Sequence, residues 1–201
     1  MDGKTKINLA GAALVILILL VGNAASSSAQ QRVFVYVSSF GFLALLTLIF
    51  VLSIPLLARL KRGDFTNSLL ANRRWIGIYA FAFALIHVLL VYNFFFNWDL
   101  SEIANNPDSL FLGLGTAAFL ILAAMAATSN NTAVRTLGRN WKKLHYLAYV
   151  ALILVLVHSF NVGLIFMKND AVKIAVGALA LSVILLRWRG KKAGMTLNAG
   201  S

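Results

Sequence analysis

Six stretches of this chain, residues 7–25, 33–58, 75–96, 109–128, 144–163 and 171–188, are apolar almost throughout, and none holds an Asp or Glu. Lys173 and Arg187, near the two ends of the last stretch, are their only Lys or Arg residues. Each is close to the 20 or so residues that a helix needs to cross a hydrocarbon layer about 30 Å thick. In that layer a backbone must satisfy its own N–H and C=O groups, which leaves helices or a closed barrel. No stretch alternates apolar and polar residues, so the pattern favours helices over a barrel. The expectation is an all-α membrane protein, a bundle of six transmembrane helices forming a single domain over residues 1–201. With 60% apolar residues, 12% charged residues and a mean hydropathy of +0.83, lipid rather than water surrounds most of this surface. The longest polar interval, 129–143, is too short for a nucleotide- or flavin-binding domain.

The net charge of +12 is a topology signal. Lys4 and Lys6, Arg59 to Arg74, Arg135 to Lys143, and Arg187 to Lys192 supply 15 of the 18 basic residues, all in alternate connections and therefore on one side of six spans. The opposite loops hold Arg32, Lys168 and Lys173 with Asp99, Glu102, Asp108 and Asp170. Basic loops stay inside, so both termini are expected in the cytoplasm, and the charge gives no case for a nucleic-acid partner. Segment 7–25 has a second reading. Two lysines, an apolar run and Ala25-Ser26-Ser27-Ser28-Ala29 also describe a secretory signal. The run is long for a signal, so a retained helix is the preferred reading.

Cysteine is absent, which excludes disulfides, iron–sulfur clusters and thiolate-ligated metal within this chain. The chemistry falls to His87, His145 and His158, all on predicted spans. An ionisable side chain inside a membrane needs a partner and marks a functional position. At a rise of about 1.5 Å per residue, His87 lies about 20 Å beyond Arg74 and His158 about 22 Å beyond Lys143. Both helices run outward, so the two imidazoles reach one level in the outer half of the membrane. This suits two ligands on one metal, or a proton relay. His145 lies about 20 Å nearer the cytoplasm, and Arg73, Arg74 and Trp75 occupy its level on the third helix. An ordinary interfacial histidine is an equal reading there. Gly113, Gly115 and the alanine-rich stretch after them read first as a close-packing surface, and second as space beside a flat cofactor.

The run Leu137-Gly138-Arg139-Asn140-Trp141-Lys142-Lys143-Leu144-His145-Tyr146-Leu147-Ala148-Tyr149 followed by His158 resembles the ferric-reductase-like transmembrane domain family. Arg73-Arg74-Trp75-Ile76-Gly77 with His87, and Pro55 with Arg59, extend the resemblance to about residues 40–190. It is strongest to the branch of haem-binding membrane subunits serving bacterial periplasmic methionine-sulfoxide reductases. The resemblance implies b-type haem held by His87 and His158, with His145 at a third family histidine and a second haem there as an open reading. It implies electron transfer from a quinol or a cytoplasmic flavin reductase to a periplasmic redox enzyme, across the bacterial inner membrane. Quinone or flavin (FMN or FAD) joins haem as an implied cofactor, with Arg74 and Arg139 as candidate partners for propionates or an anionic flavin. Anchoring at the membrane interface is the simpler role for both arginines. The inner histidine of the third helix and the nucleotide domain of the larger reductases are missing, so a four-histidine, two-haem wire is excluded in this chain. The alternative functions are direct reduction of ferric iron or another small acceptor, a histidine-based transporter or proton channel, and a scaffold without cofactor. The channel is weakened because no membrane carboxylate accompanies the histidines.

Overall fold

A computed structural model describes residues 2–198, with side chains described for residues 2–189; Lys191 and Lys192 of the basic set lie outside those side chains. The chain is a helical membrane bundle. Six helices are long and apolar enough to cross a membrane: α1 (Gly3–Ala25), α2 (Ala29–Leu60), α3 (Asp64–Phe95), α5 (Ser109–Ala127), α7 (Arg139–Val162) and α8 (Asp170–Asn198). Two short helices, α4 (Leu100–Ala104) and α6 (Asn131–Leu137), lie in the loops before and after α5, and a 3₁₀ turn (Phe166–Lys168) joins α7 to α8.

The helix starts follow local chemistry. Asp2 accepts from the Thr5 N–H at 2.9 Å, Ser28 from Gln31 at 3.2 Å, and Asn130 from Ala133 at 2.8 Å, each relieving a first-turn donor that has no helical partner. Gly138, at φ +51°, breaks the chain between α6 and α7, a conformation that glycine adopts without a Cβ penalty. The apolar pattern cut several helices short: α7 begins at Arg139 rather than 144, α8 runs to Asn198 rather than 188, and the third span differs most. It started the third span at residue 75, whereas α3 begins at Asp64, where the Gly63 N–H donates to the Thr66 hydroxyl at 3.1 Å. Residues 64–74 are polar helix running beyond the apolar layer, so hydropathy could not register them.

Within the bundle α2 packs most extensively on α3, and α5 on α7; α2 also meets α1, α7 and α8. The core runs through Leu45, Leu48, Ala80, Ala118, Leu152 and Ala180. Small residues at the crossings let the backbones approach, which is how membrane helices gain contact when lipid is as apolar as their side chains. Helix α1 seats against α2 and α3 through glycines: Gly11 faces the Tyr79 ring and Gly22 the Tyr36 ring. The Tyr79 hydroxyl donates to Asn8 Oδ1 at 3.3 Å.

Candidate functional site

Between the α2/α3 pair and the α5/α7 pair the bundle leaves a cavity of about 210 Å³. Its walls include Leu45, Ala84, Val88, Thr116, Phe119 and Val155, and among the described residues no Asp, Glu, Lys or Arg lines it. The Thr116 hydroxyl donates to Leu112 O at 3.0 Å and the Ser159 hydroxyl to Leu156 O at 3.2 Å, so both turn back onto their own helices. At the end nearest the α3–α5 and α7–α8 connections stand Phe96, Ile103, Phe166 and Met167. Phe166 stacks on Phe42 with ring centres 4.8 Å apart, and its N–H reaches the Ser38 hydroxyl at 3.4 Å.

Into this apolar space come His87 from α3 and His158 from α7. Their ring centres are 6.4 Å apart and their planes 82° apart. His87 Nδ1 lies 2.9 Å from the Val37 carbonyl oxygen of α2, and His158 Nδ1 lies 2.9 Å from the Phe111 carbonyl oxygen of α5. A carbonyl only accepts, so each Nδ1 carries the proton and each Nε2 keeps its lone pair. That is the state in which imidazole binds a metal, with the second nitrogen fixing ring orientation. Two rings on one ion, bonded at about 2.0–2.1 Å with each ring centre about 1.1 Å behind its nitrogen, stand roughly 6.3 Å apart. The observed spacing agrees.

The other candidates lie elsewhere. His145 does not line the cavity; its Nδ1 bonds back to Trp141 O at 3.1 Å, and its ring stacks on Trp141 at 3.9 Å between centres. Trp141 is itself tied to Thr128 O at 2.9 Å. The Arg74 guanidinium donates to Asn131 Oδ1 at 2.8 Å, linking α3 to α6, and Arg139 is exposed at the start of α7. In the loop between α3 and α5 the Asp99 carboxyl is held below its usual range by the Ser101 hydroxyl and then the Ser101 N–H.

Sequence reasoning missed Gly41 altogether and did not separate Gly115 from Gly113. Both Gly41 and Gly115 lie directly against a cavity histidine, whereas Gly113 faces open space. The accepting carbonyls of Val37 and Phe111 are main-chain groups, which no residue type announces.

The site is thus a pair of histidines facing each other in an apolar cavity of a helical membrane bundle. Residues 38–156 match the family described as ferric reductase like transmembrane component, and the chain belongs to that family. The match takes in His87 and His145 and stops two residues before His158. Among its relatives is the protein-methionine-sulfoxide reductase heme-binding subunit MsrQ of Ralstonia nicotianae, 33% identical over 67% of this chain and 64% of that protein. The MsrQ of Cronobacter sakazakii is 34% identical over 76% of this chain and 73% of its own. The magnetosome protein MamZ of Magnetospirillum gryphiswaldense is 33% identical over 67% of this chain but only 21% of its own length. The matched stretch thus falls just short of two thirds of the Ralstonia protein.

Proposed function

We propose that this chain is a b-type haem subunit of the bacterial inner membrane, working as one transmembrane domain. It passes electrons from a quinol or a cytoplasmic flavin reductase to a redox enzyme at the outer face. The observation that carries this reading is the pair of Nδ1-anchored imidazoles facing across an uncharged cavity at 6.4 Å between ring centres. The printed names of the MsrQ relatives favour haem as the occupant and a separate methionine-sulfoxide reductase as the kind of acceptor.

The donor set fits haem. His87 and His158 offer neutral Nε2 atoms from opposite helix pairs, and Gly41 and Gly115 leave the space their rings occupy. When bound, haem supplies one-electron chemistry, with its potential set by ligands, burial and hydrogen bonding. The chain's own residues do the remainder. The Val37 and Phe111 carbonyls raise ligand basicity and hold the rings. The apolar walls, with Phe96, Phe166 and Met167 at the outer end, keep water from the site. Asn131 holds Arg74 at the inner end, where the basic loops favour an anionic or acidic donor.

Two experiments test this reading. With the basic loops inside, cysteine placed at Asn105 reacts with an impermeant thiol reagent added to intact cells, and cysteine at Thr66 does not. The reverse pattern would put the His87–His158 level next to the cytoplasm and overturn the direction of transfer. With the donor a separate component, purified protein with NADPH alone stays oxidised, and adding a flavin reductase or a quinol reduces it. Rapid reduction by NADPH alone would contradict the separate donor.

A further inference from the structure

We propose that Gly41 and Gly115, each with the carbonyl one turn before it, form two matched seats that fix the rotation of the His87 and His158 rings and so hold the ligand planes near perpendicular. The inference rests on the haem reading above and concerns residues to which that reading assigns only space. On α2, the Val37 carbonyl bonds His87 Nδ1 and Gly41 lies four residues on; on α5, the Phe111 carbonyl bonds His158 Nδ1 and Gly115 lies four residues on. The two helix pairs therefore use one device twice.

The space at both glycines is already taken by the ring. A Cβ at Gly41 would stand 2.7 Å from His87 Nδ1 and 2.9 Å from its Cε1. A Cβ at Gly115 would stand 2.6 Å from His158 Nδ1 and 2.8 Å from its Cε1. Such approaches force a shift. The atom met first is the nitrogen bonded to the carbonyl, so a methyl group pushes each ring off its anchor. A Cβ at Gly113, two residues from Gly115 on the same helix, would meet nothing within 4 Å, and this position provides the control. Glycine is a poor helix former, so without the ring an alanine at any of the three positions favours the helix.

With both anchors in place the planes stand 82° apart. Perpendicular imidazole planes leave the two upper filled or half-filled d orbitals of low-spin ferric iron nearly equal in energy. The paramagnetic resonance spectrum is then a single broad low-field line, whereas parallel planes give a three-line rhombic spectrum. Ring rotation is thus read directly, apart from any activity.

The test compares ferric paramagnetic resonance spectra, and the rate of haem release to excess apomyoglobin, for purified wild type, Gly41→Ala, Gly115→Ala and Gly113→Ala. Wild type and Gly113→Ala are expected to share the broad line and a slow release. Gly41→Ala and Gly115→Ala are expected to lose that line and release haem about 10–100-fold faster, the usual scale for losing a histidine's outer hydrogen bond. Each clash is with a side-chain ring, so the helices retain room to fold, which circular dichroism and gel filtration check. The seats lie on different helix pairs, so either variant alone carries the test. If both alanine variants fold and match Gly113→Ala in line shape and release, the seats are refuted while the haem reading stands. A wild-type protein that takes up no haem refutes that reading itself.

Discussion

His87→Ala and His158→Ala are each expected to lose the low-spin haem spectrum, with haem per purified chain falling at least about tenfold. Losing an outer hydrogen bond to a ligand typically weakens a metal site by roughly 10–100-fold, and losing the ligand itself removes more. The rings face each other at 6.4 Å between centres, so on the proposed haem reading either deletion removes one of the two ligands of a single iron. The double variant is therefore expected to be little worse than either single one, because both substitutions break one site and their effects do not add. His145→Ala should keep the spectrum, since that ring is stacked on Trp141 and bonded within its own helix. Insertion and monodispersity need checking in parallel, because a misfolded bundle loses haem trivially. A folded His87→Ala protein with full, unshifted low-spin haem would remove His87 from the site.

Filling the cavity should empty it with both ligands untouched. Ala84 lies three residues before His87 on α3, lines the cavity, and touches both hydrophobic clusters of the bundle. In Ala84→Phe the added ring takes space between the histidine-bearing helices, and haem content is expected to fall several-fold. Overpacking a filled core costs about 1–3 kcal/mol, and less where a void accepts the ring, so the haem-free variant should melt near the haem-free parent. Ala124→Phe, on an exposed face of α5, should change neither quantity. Unchanged haem content in Ala84→Phe would place the cofactor outside this cavity.

Much of this arrangement is legible in the sequence, and the exceptions have physical causes. The six spans are, because a carboxylate-free apolar run of that length has few other fates, although the polar first turns of α3 are not apolar and escaped notice. The shared level of His87 and His158 follows from helix rise alone. Which helices the rings lean on does not, because Val37 and Phe111 contribute only main-chain oxygens. Gly41 looks like any small residue on a long apolar helix until a ring is seen against it. The stacking of His145 on Trp141 was within reach, since residues four apart on a helix are neighbours. The bond from Arg74 to Asn131 was not, because it needs the position of α6.

The most direct test of the central claim, that His87 and His158 together hold one haem, is near-infrared magnetic circular dichroism of the purified ferric protein. The low-spin charge-transfer band there reports the axial ligands. The account predicts a bis-imidazole band of one haem per chain, retained in His145→Ala and absent from His87→Ala and His158→Ala. A histidine–methionine band would contradict it and direct attention to Met167, which lines the same cavity, as would a high-spin spectrum in the wild-type protein.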